Sequence, residues 1–332
     1  MKSINVAIVG ATGLVGSTFI KVLEEKNEIK IDKAYFYASS KSAGKSIVFR
    51  GKEYKVIKLC KENIVGKQID YALFSAGGSV SKEFAPVFAQ IGAVVIDNSS
   101  AWRMEKDVPL VVPEVNIESA KKNNGIIANP NCSTIQCMLP LKALHDKFGL
   151  KRVTYTSYQA VSGSGMKGIE DLENTAKGES PSFYAYPIYN NCIPHIDAFL
   201  ENGFTKEEMK MVNETRKILG LPNLPVSATC VRVPVKNSHS IDILAEFNNP
   251  IDIEEARKVL ERFEGIVVID DVEKNKYPVP TMATGLDKVL VGRIRVDIAN
   301  ENALRFWCVA DNIRKGAASN AVQIMEKLIK GN

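Results

Sequence analysis

The chain has 332 residues, 45% of them hydrophobic and 24% charged, which is the composition of an ordinary globular protein and the length of two domains of roughly 100–200 residues each. Its 43 Lys and Arg against 38 Asp and Glu leave a net charge of +5, a modest excess that suits a phosphorylated small molecule but contains no basic run of the kind nucleic-acid arms carry. No stretch approaches the roughly 18 uninterrupted apolar residues of a membrane span, and the start shows no apolar leader with a small-residue cleavage site, so neither nucleic acid nor membrane is an expected partner and the cytoplasm is the expected compartment.

Along residues 1–128 short apolar runs alternate with helical periodicity: strands over 4–9, 34–38, 71–75 and 93–97, helices over 14–25 and 80–91, and a glycine-punctuated hairpin near 44–55. That β-α-β rhythm predicts a mainly parallel sheet covered by helices. After Asn129-Pro130 the character changes. A helix over 132–148 and a strand over 153–161 are followed by strands over 226–235, 241–247, 266–269, 289–297 and 303–310, with helices near 167–177, 206–219 and 253–263. Runs of strands with interspersed helices predict an α+β second domain with an antiparallel or mixed sheet. The last helical pattern, 317–329, is expected to pack back on the first domain. The expected division is therefore α/β: a Rossmann-like dinucleotide-binding domain over 1–128 with a C-terminal helix at about 315–332, and a second, catalytic α+β domain over 129–314.

Directly after the first strand stands Gly10-Ala11-Thr12-Gly13-Leu14-Val15-Gly16. Glycines at a strand-to-helix turn allow a tight bend and close approach to a pyrophosphate, and the free N–H groups of the helix start favour the anion. The spacing is a variant of the dinucleotide fingerprint; the alternative is a purely structural turn. An NAD site wants a carboxylate at the end of the second strand, but this chain has Ser39, Ser40, Lys41 and Ser42 there, with Gly44 and Lys45 beyond, while Asp32 lies at the other end of that strand. Hydroxyls and cations suit a 2′-phosphate, which favours NADP over NAD; a solvated Ser/Lys loop is the plainer reading. Ser75-Ala76-Gly77, after a later strand, occupies the sheet edge where ligands of open α/β folds collect, or is an ordinary turn.

Asn129-Pro130-Asn131-Cys132-Ser133-Thr134 is the most specific feature. The Asn-Pro breaks the preceding run and Asn131 or a neighbour can cap the next helix, placing Cys132 near a helix N-terminus, where amides and dipole stabilise a thiolate. Residue context alone leaves open whether that thiol is reactive or inert. Of six cysteines and three histidines none shows CxxC or HxxxH spacing, so no metal is expected and most of the cysteines read as small buried hydrophobes.

Taken together, VAIVGATGLVG, SSAWR (99–103), NPNCST (129–134), QAVSGSG (159–165), EEMK (207–210), CVRVPVKNSHS (230–240) and KGAASNAVQ (315–323) resemble the aspartate-semialdehyde dehydrogenases over nearly the whole chain. The resemblance implies that Cys132 is the nucleophile, His239 the acid/base catalyst, and Gln159 the residue that orients the thiol or its oxyanion. It implies further that Arg232 binds the substrate carboxylate, that Glu207 meets the amino group and Lys210 the phosphate, and that Arg103 and Asn131 complete the phosphate pocket. Ser162, Gly163 and Asn320 would join the cofactor set. His145 and His195 read as structural. The implied reaction is the NADP-dependent, reversible conversion of aspartyl phosphate to aspartate semialdehyde through a cysteine thioester, for lysine, threonine and methionine synthesis, by a homodimer or homotetramer assembled through the second domain. The nearest enzymatic rival is an N-acetylglutamyl-phosphate reductase, whose acetylated substrate offers no cation to Glu207; a nucleotide-sensing module on a retired enzyme fold is the non-enzymatic one.

Overall fold

Near-continuous burial along β1 (Ile4–Val9) shows why the first part of the chain folds as it does: Ile4, Val6 and Ile8 enter one hydrophobic cluster, Ala7 and Val9 another. A strand buried on both faces needs a helical layer on each. In the computed structural model, which describes residues 3–331, β1 is followed by α1 (Leu14–Glu25), β2 (Ile31–Ala38), the hairpin β3 (Ser46–Phe49) and β4 (Lys52–Lys55), β5 (Ile57–Lys58), β6 (Tyr71–Phe74), α2 (Gly78–Gln90), β7 (Val94–Asp97), α3 (Pro113–Asn116) and β8 (Ile126–Ala128). The sheet order is β5-β2-β1-β6-β7-β8, and every pair is parallel. The strand signal of β5 and β8 was too short to separate from neighbouring loop, so neither is expected from sequence; both are edge strands recruited by pairing.

The second unit, Asn131–Gly316, is built from α4 (Cys132–Phe148), β9 (Leu150–Gln159), α5 (Met166–Thr175), α6 (Lys206–Leu219), β10 (Val226–Arg232), β11 (His239–Phe247), α7 (Ile253–Arg262), β12 (Ile266–Val268), α8 (Pro280–Ala283), β13 (Val289–Asp297) and β14 (Asn300–Ala310). Its mixed sheet runs β10-β9-β11-β14-β13-β12, parallel at both ends and antiparallel in the middle. Helices α4, α6 and α7 cover the face that carries Val153, Tyr155, Ile241, Ile243 and Phe306. The opposite face carries Thr156, Tyr158, Asp242, Leu244, Arg305 and Trp307, half-buried or exposed.

Two strands end sooner than periodicity suggests. β10 stops at Arg232 because Pro234, two residues on, has no N–H for the ladder. β9 stops at Gln159, paired with Arg232, and the N–H of Ala160 turns to a side chain instead. β11 begins two residues earlier than expected, with His239 paired to Ala310. Gln159, Arg232, His239 and the end of β14 thus arrive at one edge of the sheet by register alone.

From Ala317 the chain returns to the first unit. Helix α9 (Ser319–Gly331) places Ala321, Val322 and Met325 in the cluster that holds Phe19 and Leu23 of α1, and Lys26 bonds Glu326 at 2.6 Å.

Candidate active site

In the first unit the glycine turn is dictated by contact. Gly10 has φ +84, and a Cβ there would lie 2.2 Å from the Ser75 carbonyl oxygen; one on Gly16 would lie 2.0 Å from the Gly10 oxygen. Only hydrogen fits at either position. The turn is tied to β2 by the N–H groups of Gly10 and Ala11, both donating to Tyr37 O. Gly13 stands at the N-cap of α1 and no side chain caps that helix, so its first-turn amides at Leu14 and Val15 keep the character of an anion site. Thr12 Oγ1 donates to Ser42 Oγ at 3.3 Å, which brings the turn and the Ser39–Ser40–Ser42 loop together. Gly77, φ +87, is the N-cap of α2, after Ser75 and Ala76. These groups fit a dinucleotide: hydrogen-only glycines, uncapped amides, and hydroxyls beside Lys41.

Asn320 and Arg103 belong to the same unit and are held by other protein groups. Asn320 is fully buried, its Nδ2 donating to Val111 O at 3.0 Å and Asn129 Oδ1 at 2.8 Å. The Arg103 guanidinium donates to Asn129 O at 3.0 Å and Asn98 O at 2.9 Å. Asp97, which sequence reasoning did not single out, is fully buried at the end of β7; burial pushes its carboxyl up, while Ser99, Ser81 and Arg103 pull the other way.

In the second unit Cys132 opens α4. Asn131 sits at the N-cap, yet its side chain does not cap, contrary to the simplest reading of the motif: its Nδ2 donates to Glu207 Oε1 at 2.8 Å, and its backbone N–H to Glu214 Oε2 at 2.7 Å. Cys132 Sγ lies 3.2 Å from His239 Nε2 and 3.8 Å from Asn131 Oδ1. The helix is pinned to the sheet one turn further on. Gln136 Nε2 donates to His239 O and Cys308 O at 3.2 and 3.1 Å. Pro140, with no N–H, leaves the Gln136 carbonyl without its helical donor, and Cys308 Sγ supplies one at 3.3 Å.

His239 is fully buried, and burial, with the charge of Arg232 beside it, lowers its pKa to about 3 against a weaker opposite pull from Glu207. The Ala160 N–H donates to Nδ1 at 3.0 Å, so the neutral ring carries its proton on Nε2, facing the sulfur. With Nδ1 accepting from Ala160, the neutral ring is set as a donor to the Cys132 sulfur.

Around this pair the recognition residues converge. Arg232 is buried, its Nη1 donating to Ala160 O at 2.7 Å and its Nε without a partner; an orphaned guanidinium edge fits a carboxylate. A Cβ on Gly163 would come within 3.0 Å of Arg232 Nη1 and 3.2 Å of His239 Cε1. Buried Glu207 accepts from Asn131, from Gln159 Nε2 at 3.1 Å and from Lys210 at 3.1 Å. Burial opposes its charge, but Lys210, Asn131 and Gln159 outweigh burial and hold its pKa below the usual range; Lys210, despite burial, is held above by Glu207 and Asp197. Gln159 donates to Glu207 and accepts from Ser157, and neither bond reaches Cys132 directly. Glu208 serves architecture: it completes the capping box with Thr205 and accepts from Cys230 N–H, which is why Glu207 alone of the pair faces the site.

The other histidines are tied up locally, His145 Nδ1 accepting from Leu150 N–H and His195 stacked on Phe199 at 4.3 Å. Burial raises the thiols of Cys137 and Cys230. Among the described residues no group of three His, Cys, Asp or Glu could hold a metal ion, and no helix is long and apolar enough to cross a membrane. Sequence reasoning missed Asp311, Asn312 and Gly316. Gly316 packs on Cys132 and lies inside the quoted KGAASNAVQ, so its motif was visible though its role was not.

A cysteine at a helix start, facing an imidazole N–H, is suited to covalent chemistry at a carbonyl carbon, and a chain that also carries a dinucleotide turn has the groups of an oxidoreductase. Family models concur: the NAD-binding domain of semialdehyde dehydrogenases matches residues 5–123 and their dimerisation domain matches 141–315. The chain belongs to the aspartate-semialdehyde dehydrogenases. It is 59% identical to that enzyme from Aquifex aeolicus over 98% of both chains, and 48% identical to that of Campylobacter jejuni over 99% of this chain and 98% of the other. Aspartate semialdehyde dehydrogenase II of Vibrio cholerae superposes with a TM-score of 0.95 at 46% identity over 99% of each chain. The Candida albicans enzyme solved with NADP gives 0.78 at 27% identity over 98% of each.

Proposed function

We propose that this chain catalyses the reversible, NADP-dependent reductive dephosphorylation of L-aspartyl 4-phosphate to L-aspartate 4-semialdehyde, with Cys132 as the nucleophile, in the cytoplasmic route to lysine, threonine and methionine. The observation that carries the reading is the 3.2 Å contact of Cys132 Sγ with a His239 Nε2 whose proton faces the sulfur. A V. cholerae relative at 45% identity was solved with the semialdehyde, which supports the substrate.

In the reductive direction the thiolate attacks the acyl carbon, the C–S bond forms and the C–O bond to phosphate breaks, leaving a thioester on Cys132. First-turn amides of α4 and the His239 Nε2–H are the donors for the oxyanion of each tetrahedral intermediate. NADPH, when bound, supplies the hydride that brings the thioester carbon to the aldehyde level. The departing sulfur regains its helix start and its Nε2–H donor. Arg232 holds the α-carboxylate and Glu207 the α-ammonium, so the reacting carbonyl is aimed by two charges that an N-acetylated substrate could not match at Glu207. Lys210 carries the charge that draws phosphate; Arg103 and Asn131 belong to the same proposed role.

The dinucleotide would be held by Gly10, Thr12, Gly13, Leu14, Val15, Ser75, Ala76 and Gly77, with Ser162, Gly163 and Asn320 added by resemblance. Ser39, Ser40, Ser42 and Lys41 favour the 2′-phosphate of NADP, and Asp32, at the start of β2, is at the wrong end to oppose it. The half-exposed face of the second sheet, with Tyr158 and Trp307 in ring contact at 5.4 Å, is the surface we assign to pairing of two copies.

The test is phosphate-dependent NADPH formation from aspartate semialdehyde, compared with longer semialdehydes and with NAD. Cys132→Ala is expected to lose at least about 10³-fold in kcat. Full turnover by that variant would sink the mechanism, and equal rates on a longer semialdehyde would sink the substrate.

A further inference from the structure

We infer that Asn312 is a positioning residue for His239 and acts by holding Ser238 in a left-handed backbone conformation. The inference rests on the roles just given to Cys132 and His239. Ser238 immediately precedes His239, is fully buried and has φ +73, a conformation that a residue with a Cβ adopts only when its surroundings impose it. Its N–H donates to Asn312 Oδ1 at 2.8 Å, and its Oγ meets Thr284 Oγ1 at 2.9 Å.

Asn312 is itself fixed from both sides. Its Nδ2 donates to Ser162 Oγ at 3.0 Å, Ser162 Oγ donates to Asn237 Oδ1 at 3.0 Å, and Asn237 Nδ2 donates to Asp311 Oδ2 at 2.9 Å. Ser162 Oγ also lies 3.2 Å from Asn312 Oδ1, but that oxygen already accepts from Ser238, and sending the single hydroxyl proton to Asn237 satisfies the whole chain of groups. The bonds leave the segment after β14 at Asn312 and return to it at Asp311. A closed ring of this kind leaves each member little freedom.

The same segment also sets the other reactant. Asp311 Oδ1 accepts from the N–H groups of Ile313 and Arg314 at 2.9 and 3.0 Å, its Oδ2 accepts from Gly285 N–H at 2.8 Å, and its carbonyl accepts from Gly316 N–H at 2.9 Å. A Cβ on Gly316 would be 3.0 Å from Cys132 Cβ. Two adjacent side chains at the end of one strand therefore hold the backbone leading into the imidazole and the backbone lying against the thiol. Without the Asn312 oxygen the Ser238 N–H would be a buried, unpaired donor; relaxing to negative φ turns the Cα–Cβ direction of residue 239 and carries Nε2 away from the sulfur. The hydroxyl of Ser162 acquires by this account a structural duty that its place in the cofactor motif does not reveal.

The experiment compares Asn312→Ala, Ser238→Gly and the double variant by steady-state kinetics and by the pH dependence of iodoacetamide alkylation of Cys132. Asn312→Ala is expected to lose about 10²-fold in kcat with KM changed by less than about threefold, the signature of a displaced reacting group rather than lost binding. Its alkylation profile should shift upward by about one pH unit as the sulfur loses its N–H donor. Glycine takes the left-handed conformation without a Cβ penalty, so the double variant should recover roughly tenfold in kcat and part of the alkylation shift. An Asn312→Ala enzyme that folds only when Ser238→Gly is added supports the same conclusion. Unchanged kcat and alkylation in Asn312→Ala overturn it, as does a loss that Ser238→Gly leaves unrepaired, or failure of both Asn312→Ala and the double variant to fold. Alkylation requires no substrate; a shifted profile in an enzyme inactive on aspartate semialdehyde would refute the proposed substrate while leaving the positioning role standing.

Discussion

Gly316 and Cys132 are packed backbone to side chain, with room for a hydrogen at Gly316 and nothing larger: a Cβ there would be 3.0 Å from Cys132 Cβ and 3.3 Å from its Cα. Gly316→Ala is therefore expected to displace the thiol while leaving both sheets intact. The expected loss is at least about tenfold in kcat, since sub-ångström misplacement of a nucleophile is costly, with thermal stability lowered by about 1–3 kcal/mol for the overpacked contact. Wild-type kcat in Gly316→Ala would show that α4 yields at its first turn without consequence.

His239 makes stability depend on pH. Its folded pKa, about 3, lies below the ordinary imidazole value of ~6.5, so between those limits the unfolded chain binds a proton that the folded chain refuses. The stabilisation of the neutral ring is fully present above the unfolded pKa and is lost as pH falls toward the folded one, by up to about 1.4 kcal/mol per pH unit. Urea unfolding at pH 7 and pH 5 should show this slope in the native protein and a shallower one in His239→Gln. Equal slopes would mean that the ring titrates as freely folded as unfolded.

Gln136 joins the reactive helix to two strands through a single amide. Gln136→Leu keeps the bulk and removes the donor to His239 O and Cys308 O. Two buried carbonyls then lose an amide donor, and a destabilisation of about 1–3 kcal/mol is expected, with kcat lowered as the strand bearing His239 loosens. Chemical denaturation and turnover measured on one preparation would check both, and unchanged values for the pair would remove this contact from the account.

Glu207→Gln tests recognition apart from chemistry. The carboxylate accepts three bonds, from Asn131, Gln159 and Lys210, and the amide can keep only some of them while losing its charge. KM for aspartate semialdehyde should rise by about tenfold or more, and more than kcat falls, because the proposed ion pair to the substrate ammonium is lost. A variant with native KM would remove Glu207 from the substrate site.

Most elements were legible because their signals are local. Helices at Leu14–Glu25, Cys132–Phe148 and Lys206–Leu219 have the bounds that periodicity and flanking residues predict. Strand ends were less legible: whether β9 ends at Gln159 depends on a bond from Ala160 N–H to a ring 79 residues away. The protonation of His239 was illegible for the same reason, since burial and the Arg232 charge come from other strands. Asn312 carried no signal, because an asparagine is informative only once its partners, here Ser238 and Ser162, are known.

What the sequence determined by itself was the order of elements, the glycine turn that admits only hydrogen, the cysteine at a helix start and the family to which these motifs belong. All of these depend on residues close together in the chain. Only the tertiary structure decided that the imidazole faces the thiol as a donor, that Asn131 turns from capping to Glu207, and that Ser238 is held left-handed. Each of those outcomes is set by desolvation and by hydrogen bonds between distant segments, and neither quantity exists until the sheet of the second unit has brought those segments to one edge.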